Sequence, residues 1–208
     1  MDRRFLIASL AFTPWIRPAL AGELLSYRGF NVDISELSDI YHRYSLYSGY
    51  DLVDALKHQL DIIADSGIKP AILDYFRAEH IALRGELQSG SRWRVGPTSG
   101  LELGPAKWAA TDPVVLRGLL VPYMATLPSD AKARIADFYA EGKRIAAPGE
   151  SFVYLAPETL RAVQLFFAQT ASLYLYGTAE SPPFERKTLK DKQPNYCDWL
   201  SQAFGVRK

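Results

Sequence analysis

Apolar residues recur along most of the chain at spacings of three and four, the period of one helix face, and only briefly at a spacing of two. A first helix is expected after Asp33, with Glu36 as its capping-box partner. Its stripe of Leu37, Ile40, Tyr41, Tyr44 and Tyr47 ends at Ser48 and Gly49. A second covers about Asp51 to Asp65, with Leu52, Leu56, Leu60 and Ile63 on one face and Ser66-Gly67 closing it. Pro70 opens a third that runs to about Leu87, turning Ile72, Phe76, Leu83 and Leu87 inward. The short link between the second and third predicts an antiparallel helical hairpin.

Helical patterning resumes at Asp112-Pro113, an N-cap followed by proline at the first helical position. That helix carries Val115, Leu116, Leu119 and Leu120 and is stopped or kinked at Pro122. Ser129 begins the next, with the stripe Ala131, Ile135, Phe138, Gly142 and Ile145, closed by Pro148-Gly149. Pro157 to about Tyr176 reads as the longest helix, capped by Gly177 and apolar nearly all round, which places it at the centre of a bundle. The remainder, about 178–208, is polar and irregular, with one short docking helix over Tyr196 to Phe204.

Gln88 to Thr111 breaks the pattern, because Gly90, Gly96, Gly100 and Gly104 alternate with Pro97 and Pro105. Trp93 and Val95 alternate with Arg92 and Arg94, and Leu101 and Leu103 alternate around Glu102, as in a short β-hairpin. The expected fold class is therefore all-α. It is a single helical-bundle-like domain of six or seven helices over residues 22–208, with one inserted loop or β-hairpin at about 90–104.

The amino terminus changes this picture. Met1-Asp2-Arg3-Arg4 precedes a 12-residue apolar run, Phe5 to Ile16, too short for a membrane span of roughly 20 residues. Arg17-Pro18 ends the run and Ala19-Leu20-Ala21 offers small residues for a signal peptidase. Residues 1–21 thus read as a cleaved export signal, and the mature chain as periplasmic or secreted, from a bacterium. Arg3-Arg4-Phe5-Leu6 is similar to a twin-arginine signal but lacks the residue that separates the pair from Phe-Leu.

The 208 residues are 48% apolar and 23% charged, a globular composition that suffices for one full core. Cleavage removes Arg3, Arg4, Arg17 and Asp2, taking the formal charge from +1 to −1, so neither nucleic acid nor an anionic membrane is an expected partner. No second run reaches membrane length. A single cysteine, Cys197, excludes an internal disulfide and leaves an intermolecular one as its most natural fate in an exported protein.

Candidate chemistry is sparse. His42 and His58 fall off the apolar faces of their helices, whereas His80 falls on one, beside Glu79. His80 with Glu79 or a nearby Asp is the candidate for general-base catalysis; the alternative is a core histidine with one satisfied hydrogen bond. No metal-ligand spacing, nucleophile elbow or glycine-rich phosphate loop occurs, so no metal or cofactor is expected. Asp54, Asp61 and Asp65 share one side of a helix and read as a solvated acidic face. Tyr41, Tyr44, Tyr47 and Tyr50, with Tyr27, are core-edge residues or an aromatic binding rim.

The strongest functional feature is the 90–108 loop, where Arg92, Trp93, Arg94 and Trp108 combine guanidinium forks with aromatic rings, the mixture enriched in binding hot spots. The competing reading packs Trp93 on the core and pairs Arg92 or Arg94 with Glu102 across the hairpin. The leading functional expectation is an exported, non-catalytic helical protein that binds a protein partner or small ligand through this loop. One alternative is a small accessory subunit of an exported oxidoreductase complex. The chain is similar in outline to small subunits of periplasmic flavin dehydrogenases, though no residue motif carries that likeness. A second alternative is a stand-alone hydrolase built on His80.

Overall fold

The computed structural model describes residues 23–43, 51–87, 91–96, 99–105, 108–145, 162–179 and 184–206. The expected export signal, Tyr44, Tyr47 and Tyr50, and the Pro148-Gly149 stop lie outside them.

The chain is not all-α. Among the described residues, eight helices accompany a five-stranded mixed sheet and a two-stranded one. A hairpin begins the fold: β1 (Leu24–Tyr27) and β2 (Phe30–Asp33) are joined by Arg28 and Gly29, both at positive φ (54° and 84°). Positive φ at both central positions is the geometry of a two-residue turn that follows the natural twist of paired strands. Then come α1 (Leu37–Arg43), α2 (Leu52–Ala64) and α3 (Pro70–Ala78).

The third helix is shorter than its periodicity suggests. Glu79 is already extended (φ −75°, ψ 142°), and the chain continues as β3 (Ile81–Leu83) and a 3-10 turn, Gly85–Leu87. All three β3 residues are buried. A strand covered on both faces reads as a continuous apolar run, which periodicity alone cannot separate from helix.

The expected hairpin forms, as β4 (Ser91–Arg94) and β5 (Gly100–Leu103). It is not an insertion into a bundle, however. Strand order is β1-β2-β3-β5-β4, with β2, β3 and β5 parallel and each edge strand antiparallel to its neighbour. The register puts Val32, Ile81, Leu101 and Trp93 on one face, and Asp33, Ala82, Glu102 and Arg92 on the other.

Helix α4 (Val114–Thr126) packs on the apolar face of β4 and β5, and Gly118 lies against Leu101. This helix passes through Pro122 without stopping there. Asp112 does not cap it, being paired with Arg117. Instead the buried Gln59 of α2 accepts from Val115 N–H and donates to the Asp112 carbonyl.

Helix α5 (Ser129–Ile145) follows expectation, while α6 (Val163–Tyr176) starts after an extended Ala162 and so does not run from Pro157. Every residue of α6 from Phe166 to Leu175 is buried, and Gly177 caps it at φ 117°. The stretch expected to be irregular is mostly ordered structure. It comprises β6 (Thr178–Ala179), β7 (Phe184–Glu185), α7 (Arg186–Lys192) and α8 (Pro194–Phe204). No helix of the described residues is long and apolar enough to cross a membrane.

Candidate functional site

The ribbon formed by β4 and β5 gathers the charges that the loop carries. Register places Arg92 opposite Glu102, and both Arg92 Nε and Nη2 donate to Glu102 Oε2, at 2.9 and 2.6 Å. Arg94 Nη1 donates to Oε1 at 3.1 Å, so two forks hold one carboxylate. The Glu102 side chain is 4% exposed, against 50% for Arg92 and 54% for Arg94. Arg92 Nη2 also meets the exposed Glu86 at 3.0 Å.

Burial works to raise the Glu102 pKa, and the hydrogen bonds and charge of Arg92 and Arg94 outweigh it, holding the carboxyl below its ordinary 4.5. A depressed carboxylate stabilises the fold in full above the unfolded-chain pKa, and that contribution is lost as pH falls through the folded-state value. Glu102→Gln is therefore expected to cost about 1–2 kcal/mol at pH 7, the half-exposed arginines being screened by solvent. Urea titrations should show the two proteins converging as pH falls well below 4.5. A constant difference across the range would mean that the lost stability is not electrostatic.

The sequence candidates divide on this surface. Trp93 is half-buried against the core, and Trp108 is buried within it, so the ring that shares the loop does not share the exposed ribbon. Val95 does, at 86% exposure. Its aliphatic side chain lacks the hot-spot character of Arg or Trp, so residue type gave no signal for it.

His80 and Glu79, the candidate catalytic pair, are neighbours at the junction of α3 and β3. Both follow the end of α3, and the His80 carbonyl accepts from Leu101 N–H at 2.8 Å as part of the sheet. Glu79 is engaged by the Tyr75 hydroxyl, whose pKa is pushed well up by burial and then by that carboxylate. His42 is exposed on α1. His58 is exposed too, with Nε2 at 3.1 Å from the Ala110 carbonyl, which the Tyr176 hydroxyl also reaches.

Beside His58 lies an open groove of about 350 Å³ between α2 and the end of α6, lined also by Asp61, Asp65 and Leu175. Its two carboxylates are not simply solvated. Arg28 pairs with both, and the Tyr27 hydroxyl donates to Asp61, so Tyr27 braces the hairpin rather than joining an aromatic rim. Tyr41 is similarly used, its hydroxyl accepting from Leu52 N–H. Among the described residues, no group of three or more His, Cys, Asp or Glu is placed to hold a metal ion.

Cys197 is buried on α8, and burial pushes its thiol up to about 11. An intermolecular disulfide is thus disfavoured twice, since the thiol is out of reach and un-ionised.

One polar cluster escaped sequence reasoning. Asp33, ending β2, pairs with Arg84, just past β3, at 2.8 Å, and Glu36 accepts from Gly85 N–H at 2.8 Å instead of capping α1. Burial opposes ionisation of Asp33, but bonds from Ser35 and Arg84 keep its pKa lowered. These residues clamp the carboxyl ends of two parallel strands. Only the spacing of Asp33 and Glu36 was visible beforehand.

No protein-family model, curated protein or solved structure matches the chain.

Proposed function

We propose that this is an exported, non-catalytic protein that binds a protein partner through the β4–β5 ribbon. Export rests on the leader-like residues 1–21. Binding rests on one observation: the highly exposed Val95 extends from an edge strand whose two arginines are held in place by a buried carboxylate. An exposed valine alone would carry no weight. Here the adjoining side chains are already ordered, so a partner meets little further entropy cost in using them.

The test is a photo-crosslinking amino acid at Ser91, exposed on β4, with a second at Lys187, exposed on α7, both in the producing cell. A discrete adduct from Ser91 and none from Lys187 is the expected result. Equal adducts from both positions, or none from Ser91, would overturn the reading.

A further inference from the structure

Building on that reading, we infer that the partner binds by adding a strand to β4, with a carboxylate facing Arg94 and an apolar side chain beside Val95. The direction of the backbone groups carries the first half. Leu101 N–H is bonded to the His80 carbonyl, and the Leu103 carbonyl accepts from Arg84 N–H, so both residues turn their backbone groups toward β3. Their neighbours Gly100 and Glu102 therefore turn theirs toward β4, where they meet Arg94 and Arg92.

It follows that Ser91 and Trp93 direct their N–H and C=O groups away from the sheet. The Val95 N–H, antiparallel to the Arg94 carbonyl across a planar peptide, points the same way. Strand β4 ends the sheet, and among the described residues β5 is the strand it pairs with. An unpaired row of this kind is a template for another extended chain.

Hydrogen-bonding capacity identifies the occupant. Arg92 and Arg94 project from one face of β4 and share the buried Glu102 carboxylate, while the exposed Glu86 meets Arg92, so two carboxylates balance two guanidiniums. Arg92 makes three of the four contacts and Arg94 one, so the half-exposed Arg94 fork keeps most of its donors for a further carboxylate. In an added antiparallel strand, the residue opposite Arg94 sits at a non-hydrogen-bonded position, where cross-strand side chains approach most closely. A carboxylate there meets the free side of the Arg94 fork. On the other face, Trp93 and Val95 offer an apolar flank to the alternate residues of the same segment. A second copy of this chain fits poorly, since two β4 edges would set arginine against arginine. The other sheet edge, β1, is Leu-Leu-Ser-Tyr and carries no charge to select a partner.

The experiment keeps the crosslinker at Ser91 and alters the ribbon beyond it in the full-length chain. Arg94→Glu is expected to lower adduct yield about tenfold. Val95→Pro removes one outward N–H without touching the bonds to β5 and is expected to lower the yield about tenfold as well. Val95→Thr keeps that N–H and should stay within about twofold of the parent. Mass spectrometry of the parent adduct locates the partner segment, and changing its acidic residue to lysine should restore the Arg94→Glu adduct.

Melting temperatures show whether each variant folds. Should Val95→Pro fail, the charge exchange decides alone, because it needs no proline. Undiminished yield from a folded Arg94→Glu protein would overturn strand addition with acidic complementarity while leaving ribbon binding intact. An adduct of twice this chain's mass would do the same. Loss of the parent adduct would remove both.

Discussion

Phe166→Ala is expected to lower the free energy of unfolding by about 4 kcal/mol, near the upper end for an aromatic truncated in a core. The ring is fully buried and serves three helices at once. It stacks on Tyr196 of α8 with centroids 5.3 Å apart and meets Tyr139 of α5 edge-on at 5.7 Å. Tyr196 in turn shares a buried hydrogen bond with Thr170 of α6 at 2.8 Å, so its ring cannot swing into the vacated space without giving up that bond. Collapse is thus restricted, and the full cavity cost should be felt. Urea denaturation followed by circular dichroism would measure it. A loss under about 1.5 kcal/mol would mean that α8 is not held against α6 by this stack.

Gly100→Ala should cost about 3 kcal/mol by overpacking and also disturb the proposed binding ribbon. A Cβ at this position would stand 2.5 Å from the His80 carbonyl oxygen and 2.9 Å from the His80 Cβ and Cδ2. The oxygen belongs to backbone and already accepts the Leu101 N–H. It cannot retreat without opening the junction of β3 and β5. Gly96→Ala provides the contrast, because nothing lies within 4 Å there and the strain comes only from φ at +143°. That change should cost about 1 kcal/mol. Thermal melts of both variants would separate them, and the Gly100 variant should also yield less adduct from Ser91. Equal melting temperatures would show that β3 and β5 do not approach as closely as the sheet requires.

Both substitutions act on features that differ in how far local sequence foretold them. The helices α2 and α5 were legible because each carries several turns of one apolar stripe, and α8 was legible as a short helix over Tyr196 to Phe204. Asp51 caps α2 as its position suggests, accepting from Val53 and Asp54 N–H. The β4–β5 hairpin was legible from its alternation around Gly96 and Gly100, and so was the pairing of an arginine with Glu102.

What local pattern could not supply was the sheet to which that hairpin belongs. Strands of three or four residues offer too few positions for a period of two to stand out, and β3 is buried on both faces, so no alternation survives in it. Its partners, near residues 32 and 101, are distant along the chain, and their adjacency arises only when α1 to α3 fold back between β2 and β3. The Asp33–Arg84 pair exists for that reason alone.

The same holds at the candidate site. Nearness in sequence grouped Trp108 with Arg92 and Arg94, but packing sends the indole inward and leaves Val95 at the surface. Residue types and their local spacing thus specified most helices and the hairpin's own charge pair. Long-range register then made that hairpin the edge of a mixed sheet, because strand pairing depends on contacts between segments that no local period records.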